Sequence, residues 1–373
     1  MNIGFDAKRF FNNQTGLGNY SRDLVRGLLE NCPENHYHLF TPSSQIDLQT
    51  KFLKNHENVE IHEPSGVNKS FKSYWRSIGL EKDLKKNNID IFHGLSHEMP
   101  KKKKNSSIKY IVTVHDLIFL KFPENYKAID RKIYEKKVKY AVEHADKIIA
   151  ISQQTKNDLI ELLNVPEEKI EVVYQACSAS FNHHTHYQYI ESVRKKYNLP
   201  ENFILNVGTV EKRKNVASLV EAVGKSSSQL PLVIVGSHTS YLKEVEEKIE
   251  KYELDYQVAF LQNVSFLDLP AIYQMSNLFV YPSVYEGFGI PVLEALYSKT
   301  PVIAATGSCL EEAGGPSTIY VDPFDTDQMA FEIDRIITSV DDQLKMKEQG
   351  YLYAQNFTNK KQAEKLNQIY HQL

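Results

Sequence analysis

At 373 residues the chain is too long for one ordinary hydrophobic core, so two domains are expected. Hydrophobic residues make up 42% and charged residues 24%, an ordinary globular balance, and a net charge of −3 gives no reason to expect a nucleic-acid partner. Cys32, Cys177 and Cys309 lie far apart with no Cys-x-x-Cys spacing, which argues against a disulfide framework and suits a reducing compartment. The first residues, MNIGFDAKRF, do not read as a signal peptide, and no run of 18 apolar residues is present to span a membrane. Twenty-two tyrosines stand against one tryptophan, a bias the sequence alone does not explain.

In chain order, strand-like runs alternate with helical patterns. MNIGFDA is followed by a helical segment at Asn19–Glu30, then by HYHLFTP and VEIHEP. A helical pattern over Lys72–Lys86 precedes IDIFHG and KYIVTVHD, and Tyr126–His144 and Gln153–Leu163 flank DKIIAIS ahead of IEVVYQA. Several of these runs are continuously apolar rather than alternating, which suits a parallel sheet covered on both faces. The polar stretch Ser178–Gln188, SASFNHHTHYQ, reads as an interdomain linker. A second series follows: FILNVGT, LPLVIVG, VAFLQNV, LFVYPS, PVIAATG and TIYVDP, again with helices between. Two βα-repeating halves imply an α/β protein of two doubly wound, Rossmann-like domains, residues 1–178 and 179–355. The last helical stretch, within 356–373, has no strand after it and is expected to cross back onto the first domain. Ligands of such sheets bind beyond the carboxyl ends of the strands, so a site in a cleft between facing domains is the expectation.

The segment Glu286–Ala295, EGFGIPVLEA, follows the strand LFVYPS. Pro291 suits the first helical position. Gly287 and Gly289 permit unusual backbone angles and close approach of a ligand. A helix N-terminus behind them favours phosphate. Glu294 is expected in the first helical turn and Glu286 just ahead of the glycines. Two carboxylates beside a phosphate make sense if they accept from hydroxyls of a ribose or sugar ring. The phosphates still need cations, and Arg213 and Lys214, after the strand FILNVGT, stand at another strand's carboxyl end.

The Glu-x7-Glu pattern in EGFGIPVLEA, with VGTVEKRKN before it, resembles the family-4 retaining glycosyltransferases of the GT-B fold. TGLGNY (Thr15–Tyr20) matches that family's first glycine-rich loop, and VTVHDL carries its histidine, here His115. ADKIIAIS and VAFLQNVSFLDLPAIY also match, so the resemblance covers nearly the whole chain. It implies that Glu294 holds the donor ribose, that Glu286 contacts donor-sugar hydroxyls, and that Arg213 and Lys214 bind the diphosphate. Backbone around Gly287, Phe288, Gly289 and Ile290 would meet sugar or phosphate. Gly16 and Gly18 would let their loop approach the diphosphate, His115 would lie near the donor sugar, and Asn263 and Val264 would meet the base. Many members have an arginine where this chain has Thr209, and Arg213 is expected to supply that charge.

The implied reaction transfers a sugar from a nucleotide donor to an acceptor hydroxyl with retention, by a front-face path without a protein nucleophile. The TGLGNY and EKRKN variants resemble mannosyltransferase-like members, so the donor is expected to be GDP-mannose, with a UDP-sugar as alternative. The setting is surface polysaccharide or lipopolysaccharide biosynthesis in the cytoplasm. A non-hydrolysing epimerase and a non-catalytic nucleotide-sugar-binding protein are the rival readings. A dinucleotide fingerprint is excluded at TGLGNYS, because Ser21 replaces the third glycine and no acidic residue ends the next strand. Asp325–Asp327, DTD, reads as a helix N-cap, and no metal or other cofactor is expected. His183, His184 and His186 lack zinc spacing and read as solvated linker. His115 could be a core histidine satisfied by backbone, and Asp116 a loop brace. Lys101–Lys104 reads as solvated charge. Lys69–Ser77, KSFKSYWRS, either binds a lipid-linked, phosphate-bearing saccharide acceptor at the inner membrane face or is a helix with an aromatic core side.

Overall fold

The computed structural model describes residues 1–373, the side chain of Val67 excepted. Contacts divide the chain into two compact units, Met1–Ala176 with Asn359–Leu373, and Cys177–Thr358. The first holds seven strands: β1 (Asn2–Asp6), β2 (His36–Phe40), β3 (Val59–His62), β4 (Ile91–Gly94), β5 (Lys109–Val114), β6 (Lys147–Ala150) and β7 (Ile170–Val172). All pair in parallel, in the order β3-β2-β1-β4-β5-β6-β7. The second holds β8 (Ile204–Val207), β9 (Leu232–Val235), β10 (Val258–Leu261), β11 (Leu278–Tyr281), β12 (Val302–Ala305) and β13 (Ile319–Val321), again all parallel, in the order β10-β9-β8-β11-β12-β13.

The apolar runs explain this arrangement. β9 (LVIV) and β12 (VIAA) bury every residue, as strands with helices on both faces must. The edge strands β3 and β10 carry exposed positions instead. In both sheets the strand order reverses beside the first strand, between β1 and β4 and between β8 and β11. At such a switch point the carboxyl ends of the two strands open a crevice.

Three local expectations change. The helix expected from Asn19 spans Gly16–Asn31, so the glycines of TGLGNY form its first turn rather than a preceding loop. The Lys72–Lys86 helix is broken into Lys72–Tyr74, a wider turn at Trp75–Gly79, and Leu80–Lys86. The polar stretch Ser178–Gln188 is not a free spacer. Phe181 is fully buried with its ring 5.7 Å from those of Phe266 and Tyr273, and a helix starts at Tyr187. The C-terminal helix Asn359–His371 sets Ala363, Leu366, Ile369 and Tyr370 into the core of the first unit. Truncating Leu366 to Ala would cost about 2–5 kcal/mol.

Candidate active site

The β8/β11 switch point gathers the charged residues of the second unit. β8 runs through Gly208 into a tight turn at Lys212–Lys214, and β11 ends at Tyr281 just ahead of Ser283 and Glu286. The backbone N–H of Val284 donates to Arg213 O at 2.9 Å, tying the two strand-end loops together. Lys214 Nζ lies 2.5 Å and Arg213 Nη1 2.9 Å from Glu286 Oε1, although 72 positions separate Lys214 from Glu286. Ser283 Oγ (2.5 Å) and Tyr281 OH (3.0 Å) donate to the same oxygen. Lys214 also donates to Tyr281 OH at 2.5 Å, and Arg213 pairs with Glu211 at 2.5 Å. Burial alone would raise the Glu286 carboxyl, but Lys214 and Arg213 outweigh it and hold the group at about 2. Burial likewise opposes the charge of Arg213, and Glu286 and Glu211 more than compensate, raising its affinity for the proton. Two cations and two carboxylates therefore form a nearly buried, mutually neutralised cluster.

The helix behind this cluster spans Ile290–Tyr297, with Gly289 at the N-cap and no side chain capping it. Gly289 has φ +120°, and a Cβ there would meet Leu310 Cδ2 at 2.8 Å, so only glycine fits. This glycine starts the helix one residue early. Pro291 is thus the second helical residue rather than the first, and Glu294 falls in the second turn rather than the first. Glu294 is buried and accepts from Tyr273 OH at 2.9 Å. Phe288, just before Gly289, is buried, and Gly287 links it to Glu286. Thr209 follows β8 and sits 3.3 Å from Ser237 Oγ, after β9. Asn263 adopts φ +56° just beyond β10, with Val264 next to it. The predicted donor residues thus lie along consecutive strand ends of one sheet.

The remaining predicted residues belong to the first unit. Gly16 opens its helix, and a Cβ at Gly18 would collide with Asn13 O at 1.8 Å. Arg22 secures the turn by donating to Phe10 O and Asn13 O, each at 2.8 Å. His115, after β5, is buried, with Nε2 2.9 Å from Leu95 O and Nδ1 3.0 Å from Gln175 Nε2. The carbonyl fixes the proton on Nε2. Burial and the neighbouring His97 push its pKa down to about 3, so the ring is neutral. Tyr20 stands edge-on to it at 4.5 Å. Both ring nitrogens are therefore engaged by the protein, and His115 presents a fixed neutral ring rather than a proton shuttle.

Two models of known families match the chain: "Glycosyltransferase Family 4" over residues 15–180 and "Glycosyl transferases group 1" over residues 190–353. The chain thus carries a family-4 glycosyltransferase domain followed by a group 1 glycosyl transferase domain. The O-antigen chain mannosyltransferase of Salmonella typhimurium is 29% identical over 253 residues, covering 68% of this chain and 66% of that protein. O-antigen chain mannosyltransferase B of Escherichia coli is 29% identical over 249 residues, 65% of this chain and 64% of that one. The match thus spans just under two thirds of the length of these relatives. The Anabaena HepE protein, solved in complex with UDP and glucose, aligns over 100% of both chains with a TM-score of 0.76 at 17% identity. The two Rossmann-like sheets are those of the GT-B fold.

Sequence reasoning missed Tyr281, Ser283, Glu211 and Tyr273. Tyr281 and Ser283 end the LFVYPS strand, whose aromatic residue reads as core. Tyr273 reaches Glu294 from the helix Leu269–Met275 and carried no sequence signal. The KSFKSYWRS surface needs correction. Trp75 is buried and donates to Asp83, and Arg76 is locked between Asp6 (2.5 Å) and Glu98 (2.8 Å), so the solvent-facing side is left to Phe71, Tyr74, the lysines and the serines. Asp325 caps the helix Thr326–Thr338 through Gln328 N at 2.8 Å, and Asp116 accepts from Ile118 N at 3.0 Å. Lys102 in the four-lysine run pairs with Asp146 at 2.7 Å. His183, His184 and His186 are exposed.

Proposed function

We propose that this chain is a retaining hexosyltransferase that moves mannose from GDP-mannose, ahead of a UDP-sugar, to a hydroxyl of a saccharide or lipid-linked saccharide in surface polysaccharide assembly. The meeting of Lys214, Arg213 and Glu286 at the β8/β11 switch point carries this reading, and the mannosyltransferase relatives support the choice of sugar. As the bond from the anomeric carbon to the diphosphate breaks, Lys214 and Arg213 stabilise the growing charge on the departing phosphate. The acceptor oxygen bonds to that carbon on the same face, and its proton passes to the departing phosphate. Glu286 is no nucleophile in this scheme: its Oε1 is committed to four donors, and its other oxygen receives sugar hydroxyls. Glu294 holds the ribose, the backbone at Phe288–Ile290 meets the sugar and phosphate, and Asn263 and Val264 meet the base. No metal or other cofactor is required in this scheme.

A cavity of about 320 Å³ in the first unit, lined by Asp6, Arg76, Glu98, Lys136, Lys137 and Tyr140, is large enough for a small acceptor. No helix among the described residues is long and apolar enough to cross a membrane. In this reading a lipid-borne acceptor is met at the cytoplasmic membrane face by the exposed Ile129, Ile133 and Tyr134 and nearby lysines.

The test is to incubate the chain with labelled GDP-mannose, UDP-glucose and ADP-glucose, with and without lipid-linked saccharides. Chelator-resistant transfer from GDP-mannose, with the anomeric configuration retained by NMR, is the expected result. Conversion to an isomeric nucleotide sugar identifies an epimerase instead. Tight donor binding with neither hydrolysis nor transfer identifies a binding protein.

A further inference from the structure

The outer edge of the first sheet carries a second cluster, built from none of the donor-site residues. His38 on β2 and Glu60 on β3 are register partners, and His62 follows Glu60 by two positions. Alternate residues of a strand share a face, so all three side chains project from the same side of the sheet. His38 Nδ1 lies 2.9 Å from His62 Nε2, and Glu60 Oε2 lies 3.9 Å from the first and 3.5 Å from the second. A triangle with these sides has its centre about 2.0 Å from each corner, the length of a bond from zinc to an imidazole nitrogen or a carboxylate oxygen. The ring planes are held in place: His38 and His62 stack at 5.2 Å, and Phe40 stacks on His62 at 4.7 Å. A hydrogen bond between two neutral imidazoles accounts for the His–His contact but not for a carboxylate converging on both nitrogens. Glu60 is 65% exposed and both histidines largely buried, so the cluster combines a fixed pair of ligands with an adjustable third.

We propose that His38, His62 and Glu60 form a binding site for a zinc-type divalent cation that staples the edge strand β3 to β2. Two imidazoles and one carboxylate suit zinc, with a fourth position left for water. Nickel and copper would compete on the same chemistry. The site is separate from the transfer chemistry, which is expected to proceed in chelator.

Zinc is the probe. Chelator-stripped full-length chain titrated calorimetrically with zinc should show one saturable site. His62→Ala should weaken it by at least about 100-fold and Glu60→Gln by about 10-fold, while changing His183, His184 and His186 together to Ala should leave it unchanged. X-ray absorption of the one-to-one complex should show two imidazoles. Absence of saturable binding up to roughly 100 µM zinc overturns the site. So does binding that survives His62→Ala and is lost with His183, His184 and His186. Should His62→Ala fail to fold, Glu60→Gln decides alone, since its side chain is exposed: unchanged affinity overturns the site, weakened affinity supports it. Donor transfer is measured in parallel, so failure of zinc binding and failure of the transferase reading are told apart.

Discussion

The two sheets reverse their strand order in the same way, but their switch points carry inverted charge arrangements. Between β8 and β11 one carboxylate, Glu286, is held by two cations, Lys214 and Arg213. Between β1 and β4 the central group is a cation, Arg76, held by two carboxylates, Asp6 and Glu98, of which Glu98 also pairs with Lys137 at 3.0 Å. Burial lowers the charge preference of Arg76, and its two carboxylates more than reverse that, so it stays protonated and already saturated. The same backbone geometry thus carries a carboxylate at the hub of one crevice and a guanidinium at the hub of the other.

The largest effect should come from Lys214→Ala. It removes the cation nearest Glu286, and turnover with GDP-mannose should fall by about 10³-fold with circular dichroism unchanged. Near-normal turnover would break the assignment of the β8/β11 crevice to the diphosphate. At the other switch point, Arg76→Met leaves the buried Asp6 without its cation, while the half-buried Glu98 keeps only Lys137 at 3.0 Å. It should cost about 3 kcal/mol of stability in urea or thermal melts, because an orphaned buried charge is expensive. A stability change below 1 kcal/mol would mean that the two clusters are not comparable.

A pH experiment sharpens the contrast further. The Glu286 carboxyl is held at about 2, against 4.5 for an unperturbed glutamate. Its ion pairs therefore stabilise the fold above the unfolded value, and that contribution is lost as pH falls from about 4.5 towards 2. Glu286→Gln should show a shallower acid-side loss of stability across that window than the parent chain, read by denaturant melts at each pH. Equal slopes would contradict the coupling. The smallest effect belongs to Tyr281→Phe. It deletes one donor to Glu286 and should cost about 1 kcal/mol, seen as a several-fold rise in KM or fall in kcat.

Much of the fold was legible because parallel strands buried on both faces are written as short continuous apolar runs. Each run quoted from the sequence corresponds to one observed strand. The capping role of Asp325 was also legible, since an N-cap acts within three residues. Arg76 was not. Its neighbours Phe71 and Tyr74 are exposed, and nothing local distinguishes it from a surface arginine until Asp6, 70 positions away, is placed beside it. His115 was recognised as a strand-end histidine, but its engagement by Leu95 O and Gln175 depends on loops 20 and 60 positions distant. The excess of tyrosine gains a partial account: Tyr273 and Tyr281 are buried, with hydroxyls aimed at Glu294 and Glu286.

By itself, then, the sequence determined the alternation of strands and helices and the positions of the strand ends, because periodicity and turn chemistry are local properties. The tertiary structure alone decided which charges neutralise which. Partners such as Lys214 and Glu286 meet only when β8 and β11 become neighbours across a switch in strand order, and a buried charge takes its proton affinity from whatever that packing brings within about 4 Å.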